Sequence, residues 1–455
     1  MKLKKIAALI LALAMVLSLA ACGGSSSSGT TTTGDSSAAA TTGSSGSYTA
    51  TSLTVNIWDS NQQAGLQQIA DEWTETSGVS VNVNVVDWDN YWTLLEAGVS
   101  GGDMPDVFWM HSNTSQMYME NGVLLNLDDY IAADDNIDMA NYYEGIVDLY
   151  NSDGVQYAVP KDHDTIALLY NKAIFDEYGI DYPTDDWSWD DVLEAATAIT
   201  EAGAADGVYG FAMNTSNNQD GWYNLIQGYG GEVITEDHSD TTIDSDESKA
   251  GMEMLRQLLT VSVDQTTVAE TGTDSLFLSG KIAMITQGSW MVKEFYDAEN
   301  SADYFWVEIP YADANGNGTC DEGERVSSYN GLGWAASFNT ADPQAAYDLI
   351  SWFCAYDQQV EQAELGVTMA GYVGADEAFS TAFGDMDVSA FLKVEEDGTL
   401  FFRPYTRNTT VWEDALQQTG GFLDAWLDPS DPDLMSQACD NAATIIRDAI
   451  AAEQS

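Results

Sequence analysis

Oxygen-bearing residues recur in the stretch DANGNGTCDEGE, residues 313–324, at the spacing of a Ca²⁺-binding loop. The candidate ligands are Asp313, Asn315, Asn317, Thr319 through its backbone carbonyl, Asp321 and Glu324. Ca²⁺ takes about six to eight hard oxygen ligands, and Gly318 allows the sharp turn that wraps the chain around the ion. The spacing therefore predicts a structural Ca²⁺ site in an EF-hand-like loop. The alternative is a hydrophilic hairpin loop in an Asp-rich protein.

Three features of this loop set it apart from a strong EF-hand. Asn315 and Asn317 replace charged ligands, which weakens the attraction for the ion, and Cys320 stands where an aliphatic residue is usual. The preceding run YFWVEIPY reads as a strand, so the loop lacks a flanking helix. Extracellular Ca²⁺ modules bind at ~10⁻⁴–10⁻³ M, and we expect this loop to resemble them.

Acidic residues outnumber basic ones by 73 to 14, which gives a formal net charge of −59 over 455 residues. Such a surface repels nucleic acids and anionic lipid head groups. It also disfavours an anionic small ligand that lacks a local basic pocket. Arg403 and Arg407 lie close together in RPYTRN. The acidity of the chain favours neutralisation of acidic neighbours over a ligand clamp for this pair.

The cysteine and histidine residues form no disulfide framework and no catalytic zinc motif. Beyond the N-terminal segment the cysteines are Cys320, Cys354 and Cys439. Three is an odd number without C-x-x-C spacing, so at least one thiol is unpaired and a Cys354–Cys439 bridge stays open. The three histidines include no H-E-x-x-H pattern.

The tripeptide DHD at residues 162–164 is a possible metal fragment. Along a strand, however, Asp162 and Asp164 point to the face opposite His163. The pattern therefore favours a hinge role, or a single hydrogen bond from Asp164 to a ligand.

The N-terminal segment has the pattern of an export signal. Residues 1–21 combine a basic start, an apolar run too short to span a bilayer, and small residues before Cys22. LSLAAC resembles the lipobox of bacterial lipoproteins, in which lipid is attached to the cysteine. Residues 22–50 then form a flexible Ser/Gly/Thr-rich tether. We expect a lipid anchor on the outer face of the cell membrane, and the alternative is an ordinary signal peptide with an incidental cysteine.

Strand and helix patterns alternate in the body that follows. LTVNIWDS alternates as a strand, a helix with apolar residues at helical spacing ends at Gly78, and VSVNVNVVDW, a second helix and PDVFWM continue the series. Ser188 and Asp191 predict a capping box at the start of a later helix. This order predicts an α/β fold with helices covering a sheet.

Several of these segments resemble the bacterial extracellular solute-binding proteins of family 1, the maltose and oligosaccharide type. The resemblance rests on LTVNIWDS…IADEWTETSG, LLEAGVSGGDMPDVFWM, YAVPKDHDTIALLYNKAIFDEYGID, WSWDDVLEAATAIT, FLSGKIAMITQGSWMV and LGWAASFNT, in the family's order. It implies a periplasmic-binding-protein-like fold of two α/β lobes joined by a hinge, with the ligand between them. The implied lobes are 51–158 with 331–380, and 159–330 with 381–455. The chain would cross between them near 157–162, 327–330 and 376–390.

The resemblance and the Trp content together predict a ligand cleft. A neutral sugar offers hydroxyls and apolar C–H faces, which suit aromatic side chains beside directional polar groups. The ends of strands face such a cleft in open α/β sheets. The candidate ligand-binding residues are Trp58, Asp59, Asp89, Trp109, His111, Asp164, Trp222, Tyr223, Trp290, Asn330, Trp334 and Tyr372. The resemblance implies ligand contact for the positions matching Trp58, Trp290 and 330–333.

The predicted function is a monomeric, lipid-anchored receptor outside the cytoplasm. It would close around a carbohydrate, with an oligosaccharide as the expected ligand, and deliver it to the permease of an ABC importer without catalysis. One alternative keeps the receptor and replaces the sugar by a peptide or a polyamine. The other is an extracellular glycoside-acting enzyme, which needs paired carboxylates. Acidic pairs are too common in this chain to decide that point, and no nucleophile or metal motif accompanies the family segments.

Overall fold

The computed structural model describes residues 48–453, and the main strands in this range form two sheets. In chain order the strands are β1 (Ser52–Ile57), β2 (Ser80–Val85), β3 (Val107–Met110), β4 (Asn151–Ser152), β5 (Val155–Gln156), β6 (Ala158–Pro160), β7 (Ile166–Asn171), β8 (Tyr209–Ala212), β9 (Ile282–Gly288), β10 (Tyr304–Glu308), β11 (Val326–Tyr329), β12 (Gly333–Ala336) and β13 (Thr399–Phe402). β4 pairs with β5, and β11 pairs with β13, as separate two-stranded sheets.

Helices cover these sheets. In chain order they are α1 (Ser60–Ser77), α2 (Trp88–Gly101), α3 (Ser112–Glu120), α4 (Asp128–Ile131), α5 (Glu144–Asp148), α6 (Lys172–Tyr178), α7 (Trp189–Gly203), α8 (Trp222–Gly228), α9 (Asp246–Thr260), α10 (Gln265–Thr271), α11 (Thr273–Leu278), α12 (Val292–Tyr296), α13 (Pro343–Cys354), α14 (Tyr356–Glu364), α15 (Ala390–Asp397), α16 (Thr409–Leu416), α17 (Leu423–Leu427) and α18 (Pro432–Glu453). Short 3₁₀ turns lie at Met139–Asn141, Ser289–Met291, Ser301–Asp303 and Asp376–Thr381.

Local chemistry fixes several helix ends as the sequence predicts. α1 ends at Gly78, whose φ of 74° is a conformation that glycine adopts without strain. α7 begins with the predicted capping box, in which Ser188 accepts from the Asp191 N–H and the Asp191 side chain accepts from the Ser188 N–H. Both expectations are confirmed.

The first sheet has the strand order β2-β1-β3-β12-β6. β1 runs parallel to β2 and β3, with α1 and α2 as the connections, so the predicted strand–helix alternation is confirmed. β12 enters from much later in the chain and runs antiparallel to both β3 and β6. β1 alternates between buried and exposed residues, whereas all four residues of β3 are buried at the centre of the sheet.

The second sheet has the order β10-β7-β9-β8. All six residues of β7 are buried because each face of the strand packs on a different core. Ile166 and Leu168 face the core that α7 and α9 cover, whereas Ala167 and Leu169 face the core around Phe277. A continuous apolar run of this kind is typical of a strand covered on both faces.

Adjacent passages of chain join the two sheets. Residues 161–165 connect β6 to β7, and residues 330–332 connect β11 to β12. The two passages pair side by side, since Asp164 bridges to Asn330, while Asp162 bridges to Ala370. The first passage, residues 161–165, overlaps the implied crossing at 157–162 and extends three residues past it. The exact lobe boundaries stay predictions.

A buried ion pair supports the first of these passages. The Lys161 ammonium lies 2.5 Å from Asp162 Oδ2 and donates to Gln62 Oε1 at 2.8 Å. The other carboxylate oxygen, Asp162 Oδ1, accepts the Leu332 N–H at 2.6 Å. The Asp162 side chain is therefore a hinge contact in this structure.

The N-terminal predictions fall largely outside the described residues. The signal segment, Cys22 and the tether up to residue 47 are not described. Tyr48, which the predicted tether includes, donates to Asp348 at 2.7 Å and packs on Trp73. Within residues 48–453, no helix has both the length and the apolar character that a bilayer span requires.

Cys354 and Cys439 are buried and free, so the bridge left open by the sequence is not formed.

Candidate functional site

Aromatic side chains gather at the carboxyl ends of the parallel strands in the first sheet. The aromatic cluster consists of Trp58, Trp88, Trp92, Trp109 and His111. Trp58, just after β1, is its centre, with ring centroids 4.9 Å from Trp109 and 5.1 Å from Trp88. β1, β2 and β3 bring these residues together because parallel strands end at one edge of a sheet.

The members of the aromatic cluster differ in exposure. Trp88 is 40% exposed, and Trp58 and Trp92 are partly buried. Trp109 is fully buried, and the Lys161 ammonium lies 4.6 Å from its ring centroid. Trp58 and Trp88 therefore keep part of their ring surface open to solvent, whereas Trp109 packs beneath them in the core.

His111 adds a polar group to this edge of the sheet. Its Nδ1 accepts a hydrogen bond from the Asn113 N–H at 3.2 Å, which caps α3. Burial, and next the positive charge of Arg403, lower the pKa of His111 to about 3, so the ring is neutral near pH 7. Because Nδ1 is the acceptor, Nε2 carries the proton and is a donor. Nε2 lies 3.4 Å from Asn330 Nδ2, which is also a donor, so these two atoms form no hydrogen bond.

A buried polar network lies close to His111. The Arg403 guanidinium is 2.6 Å from Glu413 Oε1, and the same oxygen accepts from the Tyr223 hydroxyl at 2.8 Å and from Asn218 Nδ2 at 3.0 Å. The Tyr223 ring is fully buried, and its hydroxyl is already paired within the protein. In this structure Tyr223 positions Glu413 and offers no surface to a ligand.

Several buried polar atoms near the aromatic cluster have no partner among the described residues. They are Trp92 Nε1, Ser112 Oγ, Asn113 Oδ1, Asn330 Oδ1, and Arg403 Nε and Nη1. Buried polar groups almost always find a partner in protein, water or ligand. These atoms include donors and acceptors, so the edge suits a ligand that carries both, as a hydroxyl does.

Segments from the two sides of the site touch each other in this structure. Thr410 on α16 donates to the Asn113 carbonyl at 3.2 Å, and Arg407 pairs with Glu120 at 2.9 Å. Asn330 Nδ2 also donates to Gln219 Oε1 at 3.1 Å. The conformation is therefore one in which groups from both sides meet around His111.

Two of the predicted acidic residues, Asp164 and Asp59, have structural partners. Asp164 Oδ1 accepts from the Ser289 hydroxyl at 3.1 Å, and burial, followed by the Asp162 carboxylate, raises the pKa of Asp164. Asp59 caps α1 by accepting from the Asn61 N–H at 2.8 Å. Asp89 lies in the first turn of α2.

The remaining aromatic predictions divide by burial. Trp222 and Trp334 are fully buried: Trp222 packs on Phe422 and Trp426, and Trp334 stacks on Phe353 with centroids 4.6 Å apart. Both are core side chains in this structure because their apolar ring area is covered by other apolar groups, so neither presents a face to a ligand. Two further residues are partly exposed, and these are Trp290 and Tyr372.

The acidic loop predicted to bind Ca²⁺ connects β10 and β11, so strands rather than EF-hand helices flank it. The Asp313 carboxylate accepts the N–H groups of Asn317 and Gly318, both at 2.9 Å. Asp321 Oδ2 accepts from Asn317 Nδ2 at 2.8 Å, and Glu324 Oε2 accepts the Asp321 N–H at 2.8 Å. These hydrogen bonds fold the loop back on itself, and Gly318 permits the turn at a φ of 74°.

A family comparison decides what kind of protein carries this arrangement. The model of the bacterial extracellular solute-binding protein family matches residues 58–360, which include both passages between the two main sheets and every strand of those sheets except β1. The chain belongs to this family. Members of the family are binding proteins, and the predicted fold class, two α/β lobes of the periplasmic-binding-protein type, is confirmed by the structural matches below.

Individual solute-binding proteins are similar over different lengths. The erythritol/L-threitol-binding protein of Mycolicibacterium smegmatis is 28% identical over 220 residues, 45% of each chain. This chain spans about half the length of the curated relatives it matches. Among solved structures, Listeria monocytogenes Lmo0181 in complex with cycloalternan gives a TM-score of 0.76 at 22% identity, covering 88% of this chain and 98% of that one. The Streptomyces glaucescens GacH receptor, solved unliganded and with acarbose, gives 0.73 at 18% identity, covering 88% and 99%.

Sequence reasoning missed some residues at this candidate site. Trp92 lies four residues after Trp88 on α2, a helical spacing that places both beside Trp58. The sequence did not predict that Arg403 is buried beside the site. Its expected role in neutralising acidic neighbours does hold, since Arg403 pairs with Glu413 and Arg407 with Glu120. No local pattern distinguishes the buried arginine from the exposed one.

Proposed function

We propose that this solute-binding protein is a receptor for a neutral carbohydrate, which it passes to the permease of an ABC importer. The observation that carries the proposal is the half-exposed aromatic cluster beside buried polar atoms without partners. Aromatic faces pack on the C–H faces of a sugar ring, while donors and acceptors pair with its hydroxyls.

The charge of the chain and the relatives support a neutral ligand. A formal net charge of −59 disfavours an anion, and the Arg403 charge is already paired with Glu413. The names of similar proteins include erythritol, cycloalternan and acarbose as ligands of those proteins. Closure of two lobes around the sugar would present the bound form to the permease. The receptor acts as a monomer without catalysis.

A thermal-shift screen followed by calorimetry tests the ligand class. The purified chain is screened against neutral oligosaccharides and polyols, and in parallel against short peptides and spermidine. We expect a carbohydrate to raise the melting temperature and to be recovered intact by chromatography. A shift with peptide or spermidine alone would replace the sugar by another solute, and cleavage of the sugar would make the protein an enzyme.

Two further features belong to this proposal. Cys22 carries a lipid that holds the receptor on the outer face of the membrane, and residues 23–47 act as a spacer. Ca²⁺ binds in the acidic loop between β10 and β11 and stabilises that loop without touching the sugar. The spacing of Asp313, Asp321 and Glu324 along the loop supports the calcium site.

A further inference from the structure

His163 lies at the centre of the passages that join the two sheets. Its backbone belongs to residues 161–165, and its ring is fully buried. The hydrogen-bonding atoms of His163, Asp376 and Glu395 all lie within 4.8 Å of one another. Asp376 begins the 3₁₀ turn Asp376–Thr381, and Glu395 lies on α15. One imidazole and two carboxylates that follow it by more than 200 residues in the chain therefore meet at the hinge.

Hydrogen bonding fixes the orientation of the His163 ring. Nδ1 lies 2.6 Å from the Ala370 carbonyl oxygen, and Nε2 lies 2.8 Å from Glu395 Oε1. A carbonyl oxygen only accepts, so Nδ1 carries a proton. Histidines that bind a metal commonly donate one ring N–H to a carbonyl or carboxylate, which directs the other nitrogen at the ion. Nε2 of His163 is directed at the Glu395 carboxylate in this way, and it would release its proton on binding an ion.

Most of this group is shielded from solvent. Asp376 is 7% exposed, and the Glu395 side chain is 17% exposed. A divalent ion with a neutral His163 and two carboxylates gives a net charge of zero. One nitrogen and two oxygen donors are a ligand set that Zn²⁺ accepts, with a fourth position for water.

An unpaired hydroxyl provides an independent observation beside the same group. The Tyr329 hydroxyl is buried without a partner among the described residues. Its ring centroid lies 5.6 Å from that of His163. Tyr143 also contacts the group, since its hydroxyl donates to Asp376 Oδ2 at 3.3 Å. A metal-bound water would give the Tyr329 hydroxyl its missing partner.

We propose that His163, Asp376 and Glu395 bind one Zn²⁺ ion at the hinge. Tetrahedral coordination at the usual bond lengths separates ligand atoms by about 3.3 Å, so small side-chain movements bring the three groups to the ion. The ion ties the first passage between the sheets to the segments that follow residue 375. The ion therefore acts on the backbone segment that must bend if the two lobes move apart. The zinc proposal does not depend on which solute is bound.

Calorimetry with Zn²⁺ alone tests the site. The purified full chain is freed of metal with a chelator and titrated in excess Ca²⁺, which fills the acidic loop. We expect one equivalent to bind, with affinity at least tenfold lower in His163→Gln and Glu395→Gln. His238→Gln is the matched control, because His238 Nδ1 also contacts a backbone carbonyl, that of Tyr405, but no carboxylate contacts its ring. Absence of Zn²⁺ binding, or equal affinity in all these variants, would overturn the proposal.

Co²⁺ spectroscopy separates this site from binding elsewhere on an acidic protein. A tetrahedral nitrogen and oxygen site gives visible absorption bands, which we expect to disappear in Glu395→Gln. Circular dichroism checks that each variant is folded, and Glu395→Gln decides the matter if the buried His163→Gln does not fold. A sulfur-to-metal band that disappears in Cys320→Ser would instead assign the ion to the exposed thiol and overturn the proposal.

Discussion

Trp58 and Trp88 meet edge to face, with ring centroids 5.1 Å apart and ring planes at 86°. This geometry directs the positive edge of one ring at the negative face of the other and holds both in place. Trp88 remains 40% exposed although it makes this contact. The pair therefore offers a rigid apolar surface that a ligand can cover at little cost in side-chain entropy.

Removal of the exposed ring should weaken sugar binding. We expect Trp88→Ala to lower affinity by roughly ten- to a hundredfold, which corresponds to about 1.4–2.8 kcal/mol of lost apolar burial. Calorimetry with the sugar found in the screen measures this change. Phe338→Ala is the control, because Phe338 is 47% exposed but follows β12 at the opposite edge of the sheet. Equal losses in both variants would contradict a role for the aromatic cluster.

Glu413 should be required for stability because it neutralises a buried arginine. Glu413→Gln leaves the Arg403 charge buried and unpaired, and we expect the free energy of unfolding to fall by about 3–5 kcal/mol. Urea denaturation measures the loss. Glu120→Gln removes the partner of the exposed Arg407 and should cost only about 0–1 kcal/mol. Similar losses for the two substitutions would show that burial does not determine how much each ion pair contributes to the free energy of unfolding.

Acid should destabilise the protein through His111. Its pKa is about 3 in the folded protein against 6.5 ordinarily, so the unfolded chain binds a proton that the folded chain excludes. The stability that His111 contributes is complete above pH 6.5 and falls below it, with a slope that approaches about 1.4 kcal/mol per pH unit down to pH 3. We expect unfolding free energies of His111→Gln to depend less on pH over this range. Parallel pH curves for both proteins would contradict the prediction.

The acidic loop should bind Ca²⁺ through its last position. Calorimetry on chelator-treated protein should give a dissociation constant of ~10⁻⁴–10⁻³ M, and Glu324→Gln should abolish the signal because the bidentate carboxylate is lost. Glu322→Gln is the control, since Glu322 lies in the same loop outside the ligand positions. No heat with the unmodified protein, or loss of binding in Glu322→Gln as well, would remove Ca²⁺ from the proposal.

Cys22 should carry the membrane anchor. We expect cells given labelled palmitate to incorporate the label into the protein and to retain the protein in the membrane fraction. Cys22→Ser should abolish both, whereas Cys320→Ser should change neither. Unchanged labelling in Cys22→Ser would show that the cysteine at the end of the signal segment is incidental.

Local signals in the sequence predicted local structure well. The capping box of Ser188 and Asp191 and the end of α1 at Gly78 depend on neighbours within a few residues, so their chemistry is visible in the sequence. The order of strands and helices from 53 to 110 follows from periodicity in the same way. Trp58 directly follows β1, so its place at the carboxyl end of the parallel strands was also predicted correctly. The geometry of parallel strands fixes that place.

Contacts between distant segments limited the prediction of the site. Trp222 and Trp334 have the composition of ligand residues, but their burial depends on Phe422 and Phe353, which no local pattern links to them. His163 shows the same limit. The adjacent Asp162 and Asp164 contact other groups, whereas the carboxylates that meet its ring come from residues 376 and 395.

The position of β12 between β3 and β6 also has a kinetic consequence. The first sheet cannot close until residues 333–336 are available, and by then the strands of the second sheet have already been made. A chain that ends before β12 leaves the edge of β3 unpaired, which favours aggregation. Such long-range pairing also slows folding. The receptor therefore depends on a late strand to complete its earliest sheet, and a newly made chain has to be shielded until that strand arrives.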